Sequence, residues 1–202
     1  MTPASSPTLR LFVALDLPEA LRGHLLGWGA HALSDIPGVR LQRPEAMHVT
    51  LCFLGDQPVG EVEAIAGAMR AAVARRSALR LTPGAPIWLP ARRPRVAAVE
   101  VADAAGELAA LQVDVSAGLA AGGWYEPERR PFLAHVTVAR IGRNGPRQPP
   151  QFPAPPPAVS ATAGSVSLYR SHTGASAARY EVVATVGLVS GNQAGTGLTG
   201  ES

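Results

Sequence analysis

The sequence predicts an α+β fold, a two-lobed duplicated unit of mostly antiparallel sheets with outer helices and a central active-site groove. Three observations predict it. His-Val-Thr occurs twice, at residues 48–50 and 135–137, each time inside an apolar, β-prone run. Each copy ends a strand, helix, strand order, over residues 8–55 and again over 95–142. Between the strand-like runs lie stretches whose apolar residues recur at helical spacing.

Taken in order, RLFVALDL (Arg10 to Leu17) is a short apolar run and reads as a buried strand. Pro18 and Glu19 open a helix whose stripe is Leu21, Leu25, Trp28 and Ala32. VRLQRPEAMHVTLCFLG supplies two strand-like pieces ending at Gly55. A second helix runs from Val59 to Arg76, with Val62, Ile65, Ala66, Met69 and Val73 facing inward. Strands follow at Leu79 to Leu89 and Arg95 to Val101. Asp103 can cap a third helix, with stripe Leu108, Leu111, Val115 and Leu119, which Gly122 and Gly123 end. PFLAHVTVARIG carries the second motif strand. Asn144 to Ala158 holds seven prolines and cannot be a helix or a central strand, so it reads as a surface crossing, with a flap over the groove as the rival. Strands Val159 to Tyr169 and Arg179 to Val189 close one domain of two pseudo-symmetric lobes, residues 8–189. The polar, glycine-rich 190–202 is expected to be a flexible tail.

The 202 residues, 47% hydrophobic and 16% charged, suit a globular chain with a real core. All eighteen basic residues are arginine, yet the net charge is only +3, which does not by itself indicate nucleic acid. Cys52 is the only cysteine, so no intrachain disulfide can form. No charged n-region precedes a long apolar run at the N-terminus, and no segment approaches membrane-spanning length. A cytoplasmic monomer is expected, with no membrane or DNA partner.

Histidine and threonine two residues apart on a strand share a face, so the two motifs can present two imidazoles and two hydroxyls to one spot. Placing polar side chains in an apolar run carries a desolvation cost that packing alone would avoid with Val or Leu. One neutral and one protonated imidazole make a general base and a general acid near pH 7. Phosphodiester cleavage fits that pair, one group for the attacking water and one for the departing alkoxide, while Thr50 and Thr137 can donate to phosphate oxygens. A metal site is the competitor, but zinc wants a third or fourth ligand, and Cys52, the nearest candidate, reads instead as a small core residue. No metal or other cofactor is expected. Nucleophilic catalysis by Cys52 or a threonine lacks an Asp or Asn to orient either histidine.

At these residues the chain resembles the 2H phosphoesterase superfamily, and within it the RNA 2′,3′-cyclic phosphodiesterases, the LigT-like or ThpR-type proteins. RLFVALDLPE, HVTLCFLG, RPFLAHVTVAR and a late LYRS…ARYEVV look like that group's landmarks in the right order, over about residues 9–189. The resemblance implies metal-independent hydrolysis of RNA 2′,3′-cyclic phosphate ends to 2′-phosphates, with a reverse 2′–5′ joining reaction in some members. It implies His48 as general acid at the ribose 3′-oxygen, His135 as general base on water, and Thr50 and Thr137 as phosphate holders. Arg140 matches an arginine that contacts RNA or phosphate, and Phe53 an aromatic that stacks on a base. Both stand five residues after their histidine, so strict alternation sends them to the opposite face unless each strand bulges.

Two departures from the family pattern bear on end preference. Leu133 and Ala134 stand where an arginine and a proline are usual, and Tyr169, Arg170 and Ser171 replace Tyr-Glu-Ser. Both are expected near the substrate path. His24 and His31 read as surface residues, His172 as a loop residue, and Arg92, Arg93 and Arg95 as a solvated turn. Chemical symmetry leaves the acid and base roles interchangeable. A phosphodiesterase for small cyclic or 2′–5′-linked nucleotides, and a non-catalytic RNA-end binding module, are the alternatives.

Overall fold

The computed structural model describes residues 7–146, 148, 150–172 and 179–190. Along the chain these form β1 (Thr8–Asp16), α1 (Glu19–Ala32), β2 (Val39–Leu41), β3 (His48–Pro58), α2 (Val62–Val73), β4 (Leu79–Leu89) and β5 (Val96–Ala102). α3 (Glu107–Ala121), β6 (His135–Ile141), β7 (Ala161–Ala163), β8 (Ser165–His172) and β9 (Arg179–Gly187) complete the order. Residues 191–202 of the expected tail lie outside the described residues. Among those described, no helix is long and apolar enough to cross a membrane.

The strands lie in the order β7-β4-β5-β6-β3-β1-β8-β9, with β2 also beside β6, and these pairings are antiparallel. The two motif strands β3 and β6 are therefore central neighbours. The sheet curls back on itself, because only Gly164 separates β7, at one end of the order, from β8, next to the other end. The run 159–169, expected as one strand, breaks there because its two pieces pair with different strands, β7 with β4 and β8 with β1. β3 runs past Gly55 to Pro58 because Thr8 to Arg10 of β1 remain available to pair with it.

One face of the sheet carries the core. Leu11, Val13 and Leu15 of β1, Val49 and Leu51 of β3, and Val136 and Val138 of β6 join the stripes of all three helices in one buried cluster. The helical stripes are those the 3.6-residue period predicts. Asp103 accepts the backbone N–H groups of Glu107, Leu108 and Ala109 at 3.0, 2.7 and 3.1 Å, satisfying the first turn of α3 and placing a negative charge at its positive end. The described part of the proline-rich segment crosses the surface. Its Phe152 stacks on Trp88 with centroids 4.4 Å apart, and the indole N–H groups of Trp28 and Trp88 donate to the carbonyls of Ala154 and Pro150.

α1 packs so closely on β6 that a Cβ at Gly29 would lie 2.5 Å from Cγ1 of Val138, whereas one at Gly27 would meet nothing within 4 Å. Gly29→Ala should therefore overpack a fully buried, β-branched neighbour and lower stability by about 1–2 kcal/mol despite alanine's better helix propensity. Gly27→Ala should raise it by up to about 1 kcal/mol. Urea denaturation of both variants checks the contrast; equal shifts would contradict the packing described.

Candidate active site

The centre of the sheet is a single pairing, Val49 with Val136, the middle residues of the two His-Val-Thr motifs. In an antiparallel pair this register places His48 across from Thr137 and Thr50 across from His135. By alternation all four side chains share the face opposite the core. The two histidines are diagonal neighbours, roughly 7–8 Å apart along the sheet with their Cβ atoms somewhat closer. The outer neighbours repeat the symmetry. β1 sets Ala14, Leu15 and Asp16 beside Thr50, Val49 and His48, and β5 sets Ala98, Val99 and Glu100 beside Thr137, Val136 and His135. An alanine beside each threonine leaves room next to its hydroxyl.

Each motif strand bulges just after its threonine. Leu51 has no partner on β1, since Val13 pairs with Cys52 and Ala14 with Thr50. Val138 has none on β5, since Ala97 pairs with Ala139 and Ala98 with Thr137. Two successive residues then face the core, Leu51 with Cys52 and Val138 with Ala139, all buried. The alternation restarts one residue late, which turns Phe53 and Arg140 onto the histidine face. Because the strands are antiparallel, they stand at opposite ends of the pairing, Arg140 beyond His48 and Phe53 beyond His135. Phe53 is exposed, with the Arg10 guanidinium 4.7 Å above its ring. Arg140 Nη2 donates to the Tyr180 hydroxyl at 3.1 Å.

The same bulge turns Cys52 into the core, the role expected for it over that of a metal ligand or nucleophile. Burial there pushes its thiol up to about 12. Among the described residues no group of three or more His, Cys, Asp or Glu side chains is placed to hold a metal ion.

His48 sits in an aromatic cluster. Its ring centroid lies 4.8 Å from Phe12, 5.6 Å from Tyr169 and 5.3 Å from Tyr180. Tyr169 is held by Asp16, whose carboxylate accepts the Tyr169 hydroxyl at 2.6 Å and the hydroxyls of Ser165 and Ser167 at 2.6 and 2.7 Å. His48 Nδ1 is covered and has no hydrogen-bond partner among the described residues. Burial first, then repulsion between an imidazolium at His48 and the neighbouring His135 and Arg140, pushes the His48 pKa down to about 4, so the ring is neutral at pH 7. His135 is oriented differently. Its Nδ1–H donates to the Leu133 carbonyl at 2.8 Å, which leaves Nε2 to exchange a proton.

Sequence reasoning missed Phe12, Asp16 and Tyr180. Asp16 carried a signal, a carboxylate at the end of an apolar strand; Tyr180 carried none, because only the β8–β9 pairing brings it to His48. The departure at Arg170 lies off the expected path. Arg170 pairs with Leu11 on the core side of β1 and lies 3.8 Å from Glu181, while Tyr169 pairs with Phe12. His172 ends strand β8 instead of lying in a loop, with Nε2 3.0 Å from Glu181. His24 and His31 are exposed on α1, and Arg92, Arg93 and Arg95 are exposed between β4 and β5.

The depressed His48 pKa has a consequence for folding. Between pH 6.5 and 4 the unfolded chain binds a proton at this site that the folded chain refuses, so this contribution is complete above pH 6.5 and lost as pH falls to about 4. Replacing the ring by His48→Phe should remove up to about 3 kcal/mol of acid-linked destabilisation. Urea denaturation at pH 7 and pH 4 reads this as a gap between the two proteins that changes with pH; parallel losses would show that His48 titrates normally.

The LigT like Phosphoesterase family model matches residues 15–88. An RNA 2′,3′-cyclic phosphodiesterase of Archaeoglobus fulgidus is 31% identical over 139 residues, 68% of this chain and 76% of that protein. An RNA 2′,3′-cyclic phosphodiesterase of Geobacillus stearothermophilus is 29% identical over 193 residues, 94% of this chain, and the chain spans 60% of that relative's length. A crystal structure from Thermus thermophilus superposes with a TM-score of 0.75 at 25% identity, over 89% of this chain and 98% of that one. With both motifs paired at the centre of the sheet, the chain belongs to the LigT-like phosphoesterases of the 2H superfamily.

Proposed function

We propose that this protein hydrolyses 2′,3′-cyclic phosphate ends of RNA to 2′-phosphate ends, with His48 and His135 as the acid–base pair. The observation that carries the reading is the diagonal placement of two imidazoles on one sheet face, each across from a threonine hydroxyl. The A. fulgidus and G. stearothermophilus relatives support the choice of substrate through the reaction their names state. A phosphorus atom between the rings has an imidazole on either side, as in-line displacement requires, while Thr50 and Thr137 donate to its non-bridging oxygens.

In the reaction His135 Nε2 takes a proton from water, whose oxygen attacks phosphorus. The bond from phosphorus to the ribose 3′-oxygen breaks, and protonated His48 gives its proton to that oxygen, leaving a 3′-hydroxyl and a 2′-phosphate. The Leu133 carbonyl supports the base assignment, because it holds the His135 proton on Nδ1 and frees Nε2. The low His48 pKa leaves the ring neutral in the empty site, so the acid role requires that substrate binding bring the proton with it. A bound phosphate anion supplies the charge that lets His48 hold that proton in the complex. With an RNA 5′-hydroxyl in place of water, the same transfers would make a 2′–5′ linkage. The single cysteine, free and buried, supports a cytoplasmic setting.

Product analysis on an RNA ending in 2′,3′-cyclic phosphate tests the reading, with a 2′-phosphate expected. His48→Ala and His135→Ala should each lower turnover by roughly 10²–10⁴-fold while circular dichroism stays unchanged. Activity that a chelator abolishes and zinc restores, or tight binding of the cyclic end with no product, would refute it.

A further inference from the structure

Arg40 of β2 pairs directly with Arg140 of β6. Like charges opposed across an antiparallel pair are destabilising, yet among the described residues neither arginine has a carboxylate partner. The two guanidiniums diverge. Arg140 turns toward Tyr180 and its charge is felt at His48, while Arg40 reaches the other way, its Nη2 3.8 Å from where a Cβ at Gly142 would stand. Arg140 is two paired positions past Thr137, on the order of 7 Å at strand rise. A basic track thus leads away from the histidines along β6 and β2, on the face that carries them.

We propose that Arg40 binds a backbone phosphate upstream of the cyclic end, so that the protein prefers oligonucleotide ends over free cyclic mononucleotides. The inference rests on the functional reading above, and the connectivity of a nucleotide gives it direction. The departing 3′-oxygen lies at His48. Its carbon, C3′, leads through C4′ and C5′ to the next phosphate, whereas C2′ leads through C1′ to the base. The 5′ chain therefore leaves on the His48 side, where Arg140 and then Arg40 stand, and the base turns toward Phe53 at the other end. A guanidinium fork donates two hydrogen bonds to such a phosphate and offsets the repulsion between the two arginines.

The test compares kcat/KM on a cyclic-phosphate-ended mononucleotide, dinucleotide and trinucleotide. The unaltered protein should gain about tenfold or more from the mononucleotide to the longer ends, and Arg40→Ala and Arg40→Gln should each lose most of that gain. A neutral methylphosphonate at the upstream linkage should cost the unaltered protein the same factor and cost Arg40→Ala nothing further. Trinucleotides ending in 2′-phosphate, followed by fluorescence anisotropy, should show a log–log salt slope smaller by about 0.7 in Arg40→Ala. An equal loss on all three substrates, or a methylphosphonate end processed as fast as the phosphodiester, would overturn the assignment. Should no cyclic end be opened at all, the functional reading falls, while the salt slope still decides the Arg40 contact.

Discussion

Val49 and Val136 pair across the middle of the sheet, and the geometry of the site depends on that contact. Their side chains are fully buried on the core face, where the helix stripes hold them. Their neighbours in sequence must then project to the other face, because a strand alternates. A one-residue slip of either motif strand would send its own histidine and threonine into the core and its valine into solvent. The hydrophobic effect thus acts on two valines to place four polar groups, with no need for those groups to attract one another. The surrounding pairings reinforce it: the alanine, aliphatic, acid order on β1 and β5 locks each motif strand in the same phase from outside.

The two bulges are the second constraint. Without them Phe53 and Arg140 would face the helices, where an arginine would be buried without a partner. Each bulge sends one extra residue into the core, Leu51 on one strand and Val138 on the other, and thereby reverses the phase of the residues after it. Gly29 belongs to the same device, because only a residue without a side chain lets α1 approach Val138 closely enough to fill the core there.

The strand and helix periods, the Asp103 cap and the paired motifs were legible in the sequence because each is a local pattern with a local cause. The bulges were legible only as a condition: the five-residue spacing of Phe53 and Arg140 demanded them if those residues were to join the histidines. What could not be read was anything set by which strand lies beside which. The break at Gly164, the approach of Tyr180 to His48 and the confrontation of Arg40 with Arg140 all depend on pairings between distant segments. Alternation applied without the bulge placed Cys52 beside the histidines, and one added residue was enough to turn its thiol into the core.

The two imidazoles are chemically alike, and their surroundings make them unequal. His135 has a carbonyl to hold one ring proton, so its free nitrogen is defined before anything binds. His48 has three aromatic rings around it, an Nδ1 without a partner among the described residues, and Arg140 and His135 nearby, so a second proton on it is disfavoured. Asp16, the nearest carboxylate in register, is committed to three hydroxyls and holds Tyr169 against the ring instead of sharing a proton with it. In the proposed reaction this asymmetry ties the acid to its substrate. A phosphodiester anion between the rings offsets the charges that keep His48 neutral, so the proton is stored when, and where, a departing oxygen will need it. A solvated histidine, with a pKa of about 6.5, would be partly protonated near pH 7 whether or not substrate were present. Burying the ring gives up proton occupancy in the empty site and makes its protonation depend on the substrate anion.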